Sequence, residues 1–348
     1  MEKHSFVKED FYLITNADEI IRDRDGIVPC RLRSAAFSSL PKDLAVRAKE
    51  ANGMELCFET NARTLAVTLE VLNPAVRDDG SLSFMELSAG DLTVCGFHPV
   101  YFRKGMQRIV FTIAPHAQEG VYRLSLPHGM VIRLVTIETD DSAYLKKSLD
   151  YMMDLSAKPV WIAYGPPEAV SMTMPSASWT KLVSHAVDIL PVTMDFGGAV
   201  IFDEQFTQYL AARADWSLFS FLLDEAAVAS YAGDTKRFHA DYTRIIGTLR
   251  KTHPDHPILC ISPLWSSSDA AAAVRGDAAP LAPYRDAIRN VMKNRLLEDH
   301  NLYFLEGTTV IEHNHGLCDD YLTLNGYGHV RMANAVSAVF KEAMKKKK

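Results

Sequence analysis

The sequence predicts two domains of different class, a β-sandwich followed by an α/β domain built on a parallel sheet. Over residues 1–155, short apolar segments alternate with polar residues and are separated by turn-forming residues, which is typical of a sandwich. Over residues 156–348, apolar strands alternate with amphipathic helices, the pattern of a parallel sheet covered on both faces. The length of 348 residues leaves room for both, since an average domain takes roughly 150.

Composition and charge narrow the classes of function. The chain is 48% hydrophobic and 23% charged, as in ordinary folded proteins. Its 37 basic and 43 acidic residues give a net charge of −6, which offers no general attraction to a phosphate backbone, so we expect no nucleic-acid partner. No apolar run approaches the ~18 residues of a membrane helix, and the first residues, MEKHSFVKEDFYL, lack the apolar core of a secretory signal. We therefore expect no membrane partner.

The cysteines indicate a reducing compartment. There are five, an odd number, and none forms a CxxC pair. Scattered free thiols of this kind are typical of the cytoplasm, where we expect the protein to reside. The sequence also lacks a glycine-rich phosphate loop and a dinucleotide-binding fingerprint, so we expect no cofactor.

The first half reads as a series of strands. In LAVTLEV, the residues Leu65, Val67, Leu69 and Val71 share one face, as the two-residue period of a half-buried strand requires. The same pattern predicts five more strands, at residues 81–87, 91–97, 107–113, 121–127 and 130–138. Residues 39–53 are the one helix that we expect in this half.

The segment GMELCFETNARTLAVTLEV of the first half resembles a jelly-roll module, and this resemblance raises carbohydrate binding by stacking of a sugar on an aromatic ring. All four tryptophans lie in the second half, which leaves Tyr12, Tyr101 and Tyr122 as candidates. We therefore favour a supporting role for the sandwich.

The second half alternates strands and helices to its end. Five apolar segments predict strands, at residues 159–165, 192–198, 216–223, 256–264 and 301–307. Four amphipathic segments between them and one at the end predict helices, at residues 176–190, 206–214, 235–253, 282–298 and from 324 onward. In parallel sheets ligands bind at the carboxyl ends of the strands, so the site is expected in the loops that follow these strands.

Five segments of the second half, taken in order, resemble the conserved blocks of the SGNH/GDSL hydrolase superfamily. They are WIAYG, DFGGAVIFDEQF, DWSLFSFLLDE, HPILCISPL and DYLTLNGYGHVRMANAV. The resemblance implies an SGNH-like, flavodoxin-like three-layer domain over residues 156–348. The segment GMELCFETNARTLAVTLEV resembles the jelly-roll module that some members carry ahead of it, which implies a jelly-roll-like sandwich over residues 1–155.

The resemblance also implies where the family's catalytic groups would lie. The family uses a serine nucleophile, a glycine N–H and an asparagine for the oxyanion, and a histidine base oriented by an aspartate. The matching positions form what we term the remnant pocket: Gly165, Pro167, Gly198, Asp224, Asp320 and Thr323. Pro167 stands at the nucleophile, Asp224 at the asparagine and Thr323 at the histidine, and Leu222 replaces the glycine of the asparagine block.

These replacements predict a disabled enzyme. Proline has neither a hydroxyl to attack a carbonyl nor an N–H to donate, and threonine cannot act as a base near neutral pH. Loss of one oxyanion donor costs ~10²–10³ in rate, and loss of a triad nucleophile or base costs on the order of 10⁶. We therefore expect a catalytically inactive pseudo-esterase that binds a small acylated or glycosylated ligand, or a protein partner, at the remnant pocket.

Two alternatives stay open on the same residues. The chain could be an active carbohydrate or acyl esterase, or an acyltransferase, that uses non-family residues such as Ser171 or Asp320, or Asp224 and Asp320 as an acid–base pair. It could also be a structural or regulatory subunit whose pocket is filled.

We expect no catalytic or metal-binding role for the histidines near the end of the chain. His313, His315 and Cys318 are of residue types that bind zinc, but their spacing matches no common zinc motif, so we expect a polar loop and no metal. His329 is expected to pack rather than transfer protons.

Overall fold

The computed structural model describes residues 1–38, 40–74, 82–89, 93–113, 120–165, 175–196, 203–223, 225–275 and 280–346. The chain forms two compact units that divide between Lys158 and Pro159, and Pro175 and Ser176 belong to the first of them.

The first unit is built from short antiparallel strands. In chain order they are β1 (Glu2–Ser5), β2 (Leu13–Thr15), β3 (Glu19–Arg22), β4 (Ile27–Cys30), β5 (Glu55–Thr60), β6 (Thr64–Pro74), β7 (Leu82–Ala89), β8 (Thr93–Tyr101), β9 (Gly105–Thr112), β10 (Gly120–Ser125), β11 (Met130–Thr139) and β12 (Leu145–Lys146). One six-stranded sheet runs in the order β3-β4-β11-β6-β9, with β1 also paired to β11, and the other in the order β12-β5-β10-β7-β8, with β2 also paired to β5.

The two sheets share an extended apolar core, which makes the unit a sandwich. Leu65, Val67, Leu69 and Val71 of β6 all lie in it, as their alternation predicted. The facing sheet contributes side chains of β5, β7, β8 and β10 to the same cluster. The antiparallel sheets match the predicted jelly-roll-like architecture.

Two expectations for this unit were wrong in detail. The predicted helix over residues 39–53 is only the six-residue α1 (Lys42–Arg47), because Gly53 adopts a positive φ of 68° and residues 55–60 already form β5. A second helix, α2 (Leu149–Ala157), was missed.

Tyr12 and Tyr122 are not available to stack on a sugar. They are 2% and 1% exposed and belong to the sandwich core, where the Tyr12 hydroxyl donates to the carbonyl of Phe6. Tyr101 is 59% exposed, because it points outward from β8.

The second unit alternates strands and helices. Its strands are β13 (Val160–Gly165), β14 (Leu190–Asp195), β15 (Leu218–Leu222), β16 (Ile258–Ile261) and β17 (Leu302–Leu305). Its helices are α3 (Trp179–Val187), α4 (Glu204–Ala212), α5 (Glu225–Ala229), α6 (Thr235–Thr252), α7 (Ser267–Arg275), α8 (Ala282–Arg295), α9 (Gly307–Val310) and α10 (Gly326–Lys346). All five predicted strands and all five predicted helices are present, whereas α5, α7 and α9 were missed.

The five strands form one parallel sheet in the order β14-β13-β15-β16-β17. This is the 2-1-3-4-5 order of flavodoxin-like folds, in which ligands bind outside the carboxyl ends of the strands where the order reverses. Here the reversal lies between β13 and β15.

Helices cover both faces of the sheet, so the unit has three layers. On one face, Trp179 of α3 and Phe340 of α10 pack against Trp161 of β13, with ring centroids 5.4 and 5.2 Å away. On the other, Phe206 of α4 lies 5.5 Å from Tyr164 of β13. Offset and edge-on ring pairs of this kind stabilise a core by more than their area alone.

All five cysteines are free thiols. In the described part of the chain, no helix combines the length and apolarity needed to cross a bilayer.

Gly328, in the first turn of α10, lies close to the loop that precedes this helix. A Cβ at Gly328 would lie 2.0 Å from the carbonyl oxygen of Gly316, whereas one at Gly326 would meet nothing within 4 Å. Gly328→Ala should therefore lower the free energy of unfolding by about 2 kcal/mol or more, because backbone atoms must move. Gly326→Ala should be neutral, or stabilising by up to about 1 kcal/mol.

Denaturant unfolding followed by tryptophan fluorescence measures this difference in the second unit, which holds all four tryptophans. Equal stabilities for the two variants would contradict the close approach.

Candidate functional site

The candidate site begins where β13 and β15 end side by side. A Cβ at Gly165 would lie 3.0 Å from the carbonyl oxygen of Leu222 and 3.2 Å from its Cβ, so glycine permits the close approach of these two strand ends. Leu222 is 1% exposed and packs in the core with Trp161. Its side chain therefore stabilises the sheet.

Asp320 and Thr323 come together in a tight turn before α10. The Asp320 carboxylate accepts hydrogen bonds from the backbone N–H groups of Leu322 and Thr323, both at 2.9 Å. The Thr323 hydroxyl donates to the other carboxylate oxygen at 2.5 Å. Both residues are exposed. An aspartate thus orients the side chain three residues on, but that side chain carries a hydroxyl and no imidazole.

The other members of the predicted site lie outside the described residues. These are Pro167, Gly198 and Asp224 of the remnant pocket, together with the alternative nucleophile Ser171. The structure therefore places Gly165, Asp320 and Thr323 of the predicted set.

The loop after β16 is held by a buried arginine that sequence reasoning missed. Arg285 of α8 donates to both carboxylate oxygens of Asp269, at 3.0 and 2.6 Å, and to the carbonyls of Pro263 and Leu264, at 2.9 and 2.5 Å. Arg285 and Asp269 are each only 5% exposed. A buried two-pronged pair of this kind fixes geometry strongly, because either charge alone would be costly to bury.

Asp269 also orders the start of α7. Its Oδ2 accepts from the backbone N–H of Ser266 at 3.1 Å, as an acidic residue does three positions after a helix N-cap. The Ser-x-x-Asp spacing was the one sequence signal that could have revealed α7.

Three hydroxyl groups near the carboxyl ends of the strands donate to carboxylates. Thr323 donates to Asp320, Ser266 to Glu225 at 2.9 Å, and Ser262 to Glu306. Ser262 and Ser266 are 0% and 7% exposed. Carboxylates bind protons more weakly than imidazole does, so these contacts position hydroxyls and do not activate them as nucleophiles.

His329 caps the start of α3. Its Nδ1 accepts from the backbone N–H of Trp179 at 3.1 Å, one of the N–H groups that a helix cannot satisfy internally. The side chain of Ser178, at the N-cap position, makes no capping bond. His329 is 4% exposed, and burial lowers the pKa of its ring to about 4. It is therefore a neutral structural group.

His313 and His315 lie in the exposed loop before the Asp320 turn, with ring centroids 4.5 Å apart. Within the described ranges, no group of three or more His, Cys, Asp or Glu residues is arranged to hold a metal ion.

Known structures share this architecture over nearly the whole chain. A salicylyl-acyltransferase of a tetracycline biosynthetic pathway superposes with a TM-score of 0.79 at 20% identity, covering 97% of each chain. A candidate GDSL-like lipase from Bacteroides ovatus gives 0.77 at 17% identity, covering 99% of this chain and 98% of the other. The chain has the SGNH/GDSL hydrolase fold. A family two carbohydrate esterase from Clostridium thermocellum, in complex with cellohexaose, gives 0.62 at 13% identity, covering 96% and 99%.

Sequence comparison adds nothing to this result. No protein-family model matches the chain, and no curated protein matches it. The similarity is therefore one of fold.

The buried His329 predicts a specific loss of stability in acid. Its folded pKa of about 4 lies below the unfolded value of 6.5, so the unfolded chain takes up a proton before the folded one does. This contribution is complete above pH 6.5 and falls as the pH approaches 4, with a loss of about 2–3 kcal/mol between pH 7.5 and 4.5.

The measurement is the free energy of unfolding against pH for the native chain and for His329→Asn, whose Oδ1 takes the place of Nδ1 as acceptor of the same N–H but cannot gain a proton. The two curves should diverge below pH 6.5. Parallel curves would show that His329 is not buried as a neutral acceptor.

Proposed function

We propose that this protein is an SGNH/GDSL hydrolase-like pseudo-esterase, which lacks the family's catalytic route and binds a small acylated or glycosylated ligand, or a protein partner, at the remnant pocket. The observation that carries the proposal is the contact between Thr323 and Asp320. The carboxylate that would orient a base instead accepts a threonine hydroxyl at 2.5 Å. No proton acceptor effective near neutral pH results from that pair.

The histidine nearest to Thr323 in the sequence, His329, does not replace the missing base. His329 lies six residues after Thr323, but it is buried and its Nδ1 already accepts the N–H of Trp179. A proton on that nitrogen would break the helix cap. The described hydroxyls of Ser262 and Ser266 are likewise committed to carboxylates and shielded from solvent.

The sequence supports the same proposal at the positions that the resemblance assigns to the nucleophile and the oxyanion hole. Pro167 supplies neither hydroxyl nor N–H. Asp224 would place a negative charge where a donor is needed. Nucleophile, base and one donor are then all replaced, so the rate should fall to that of the uncatalysed reaction or close to it.

The class of ligand is suggested by the fold neighbours. One is named a salicylyl-acyltransferase and another is a carbohydrate esterase in complex with cellohexaose. We therefore propose an acyl or sugar group as the recognised moiety. The five free thiols favour the cytoplasm as its location, and the net charge of −6 argues against nucleic acid as the partner.

Turnover of p-nitrophenyl acetate and of acetylated cellobiose tests the proposal. The native chain should show no hydrolysis above the uncatalysed rate. The triple variant Pro167→Ser, Asp224→Asn, Thr323→His restores the nucleophile, the asparagine and the base, and it should gain at least about 10²-fold if the positions are assigned correctly.

A matched control is the same triple variant with Asp320→Asn, which keeps the size of the side chain but cannot orient a histidinium. Turnover by the native chain that is abolished in Ser171→Ala would overturn the proposal and establish the alternative, an active esterase or acyltransferase that uses a non-family nucleophile.

A further inference from the structure

Tyr321 has a backbone conformation that glycine adopts freely and tyrosine does not. Its φ is 54°, in the left-handed region. Hydrogen bonds on both sides keep it there: its N–H donates to the carbonyl of Cys318 and its carbonyl accepts from the N–H of Ser267, both at 2.9 Å. Glycine at this position would cost the fold less.

Burial of the side chain does not compensate for this strain. Tyr321 is 41% exposed and its neighbour Leu322 is 45% exposed. The Tyr321 ring stands edge-on to Trp265, with centroids 6.5 Å apart and planes at 78°. A strained, exposed aromatic residue directly beside Asp320 is typical of a position selected for contact with a ligand.

The polar groups around this aromatic pair indicate which ligand it suits. Asp319 and Asp320 are exposed next to Tyr321, and the carboxylate of Glu225 accepts from Ser266 next to Trp265. These groups accept hydrogen bonds, and their negative charge disfavours anions. An uncharged ring with one apolar face and hydroxyl or other donor groups fits both the aromatic and the acidic surroundings.

We propose that Tyr321, supported by Trp265, is a ligand-contacting residue that stacks on an uncharged ring, either a pyranose or the aryl group of an aromatic ester. This inference rests on the proposed function, because it names the group that the remnant pocket recognises.

Ligand-observed NMR titration with two probes tests the contact and distinguishes its sources. Cellobiose represents the pyranose and methyl benzoate the aryl ester, and benzoate serves as the anionic comparison. The native chain should bind one of the first two and bind benzoate more weakly than the ester. Tyr321→Gly should weaken binding of the recognised probe at least about 5-fold, and Tyr321→Phe should stay within about 2-fold of the native chain.

Thermal unfolding separates ligand contact from a structural role. Tyr321→Gly relieves the strained backbone, so its Tm should equal or exceed that of the native chain. Asp188→Gly is the matched control. Asp188 is also exposed with a positive φ, 58°, but it precedes β14 at the opposite edge of the sheet. The Asp188→Gly variant should have the Tm of the native chain and bind the probe with unchanged affinity.

Three results overturn the inference, and they are distinct from failure of the proposed function. They are undiminished binding to Tyr321→Gly, a Tm for that variant several degrees below the native value, and absence of binding by the native chain to both probes. The proposed function itself fails only if the native chain hydrolyses esters in the turnover assay.

Discussion

The geometry of the candidate site depends on the buried guanidinium of Arg285. It neutralises the Asp269 carboxylate and donates hydrogen bonds to the carbonyls of Pro263 and Leu264. The loop that follows β16 thereby takes one conformation, with Ser266 at the start of α7. From there, Ser266 contacts Glu225 of α5, and the N–H of Ser267 donates to Tyr321 in the turn before α10. One buried charge pair therefore connects the loops after β15, after β16 and before α10.

The contacts that support the site, those of Arg285 and three others, use no catalytic group of the SGNH mechanism. Gly165 permits the approach of β15, Gly328 permits the approach of α10 to Gly316, and His329 caps α3. Such contacts stabilise the fold whether or not a serine and a histidine are present at the site. The chain accordingly superposes on acyltransferase and esterase structures at 20% identity or less, although the resemblance would assign Pro167 and Thr323 to the positions of nucleophile and base.

Periodicity predicted the longer half-buried elements, and it missed short strands such as β1 to β4 and the uniform helix α7. The strand at 65–71 and the helix at 235–253 bury one face each, so their patterns are visible in the sequence. By contrast, β4 pairs with β11 through the single register pair Ile27 and Leu134, and α7 contains the run Ala270–Ala273, which has no polar face to contrast with an apolar one. At the site, Asp320 and Thr323 were predicted because they lie in one continuous segment that resembles a family block. Arg285 and Asp269 are sixteen apart and meet only in the folded chain.

In the function that we propose, the arrangement of hydroxyls and carboxylates distinguishes a binding site from an active site on this fold. A serine nucleophile needs a base that accepts its proton and can later return it to the leaving group, a role for which imidazole is suited because it titrates near neutral pH. The hydroxyls of Thr323, Ser266 and Ser262 instead donate to carboxylates, which hold them in place as donors. The binding role that we propose requires no proton transfer, so it does not depend on an imidazole at the Thr323 position, whereas acyl transfer by the SGNH route does.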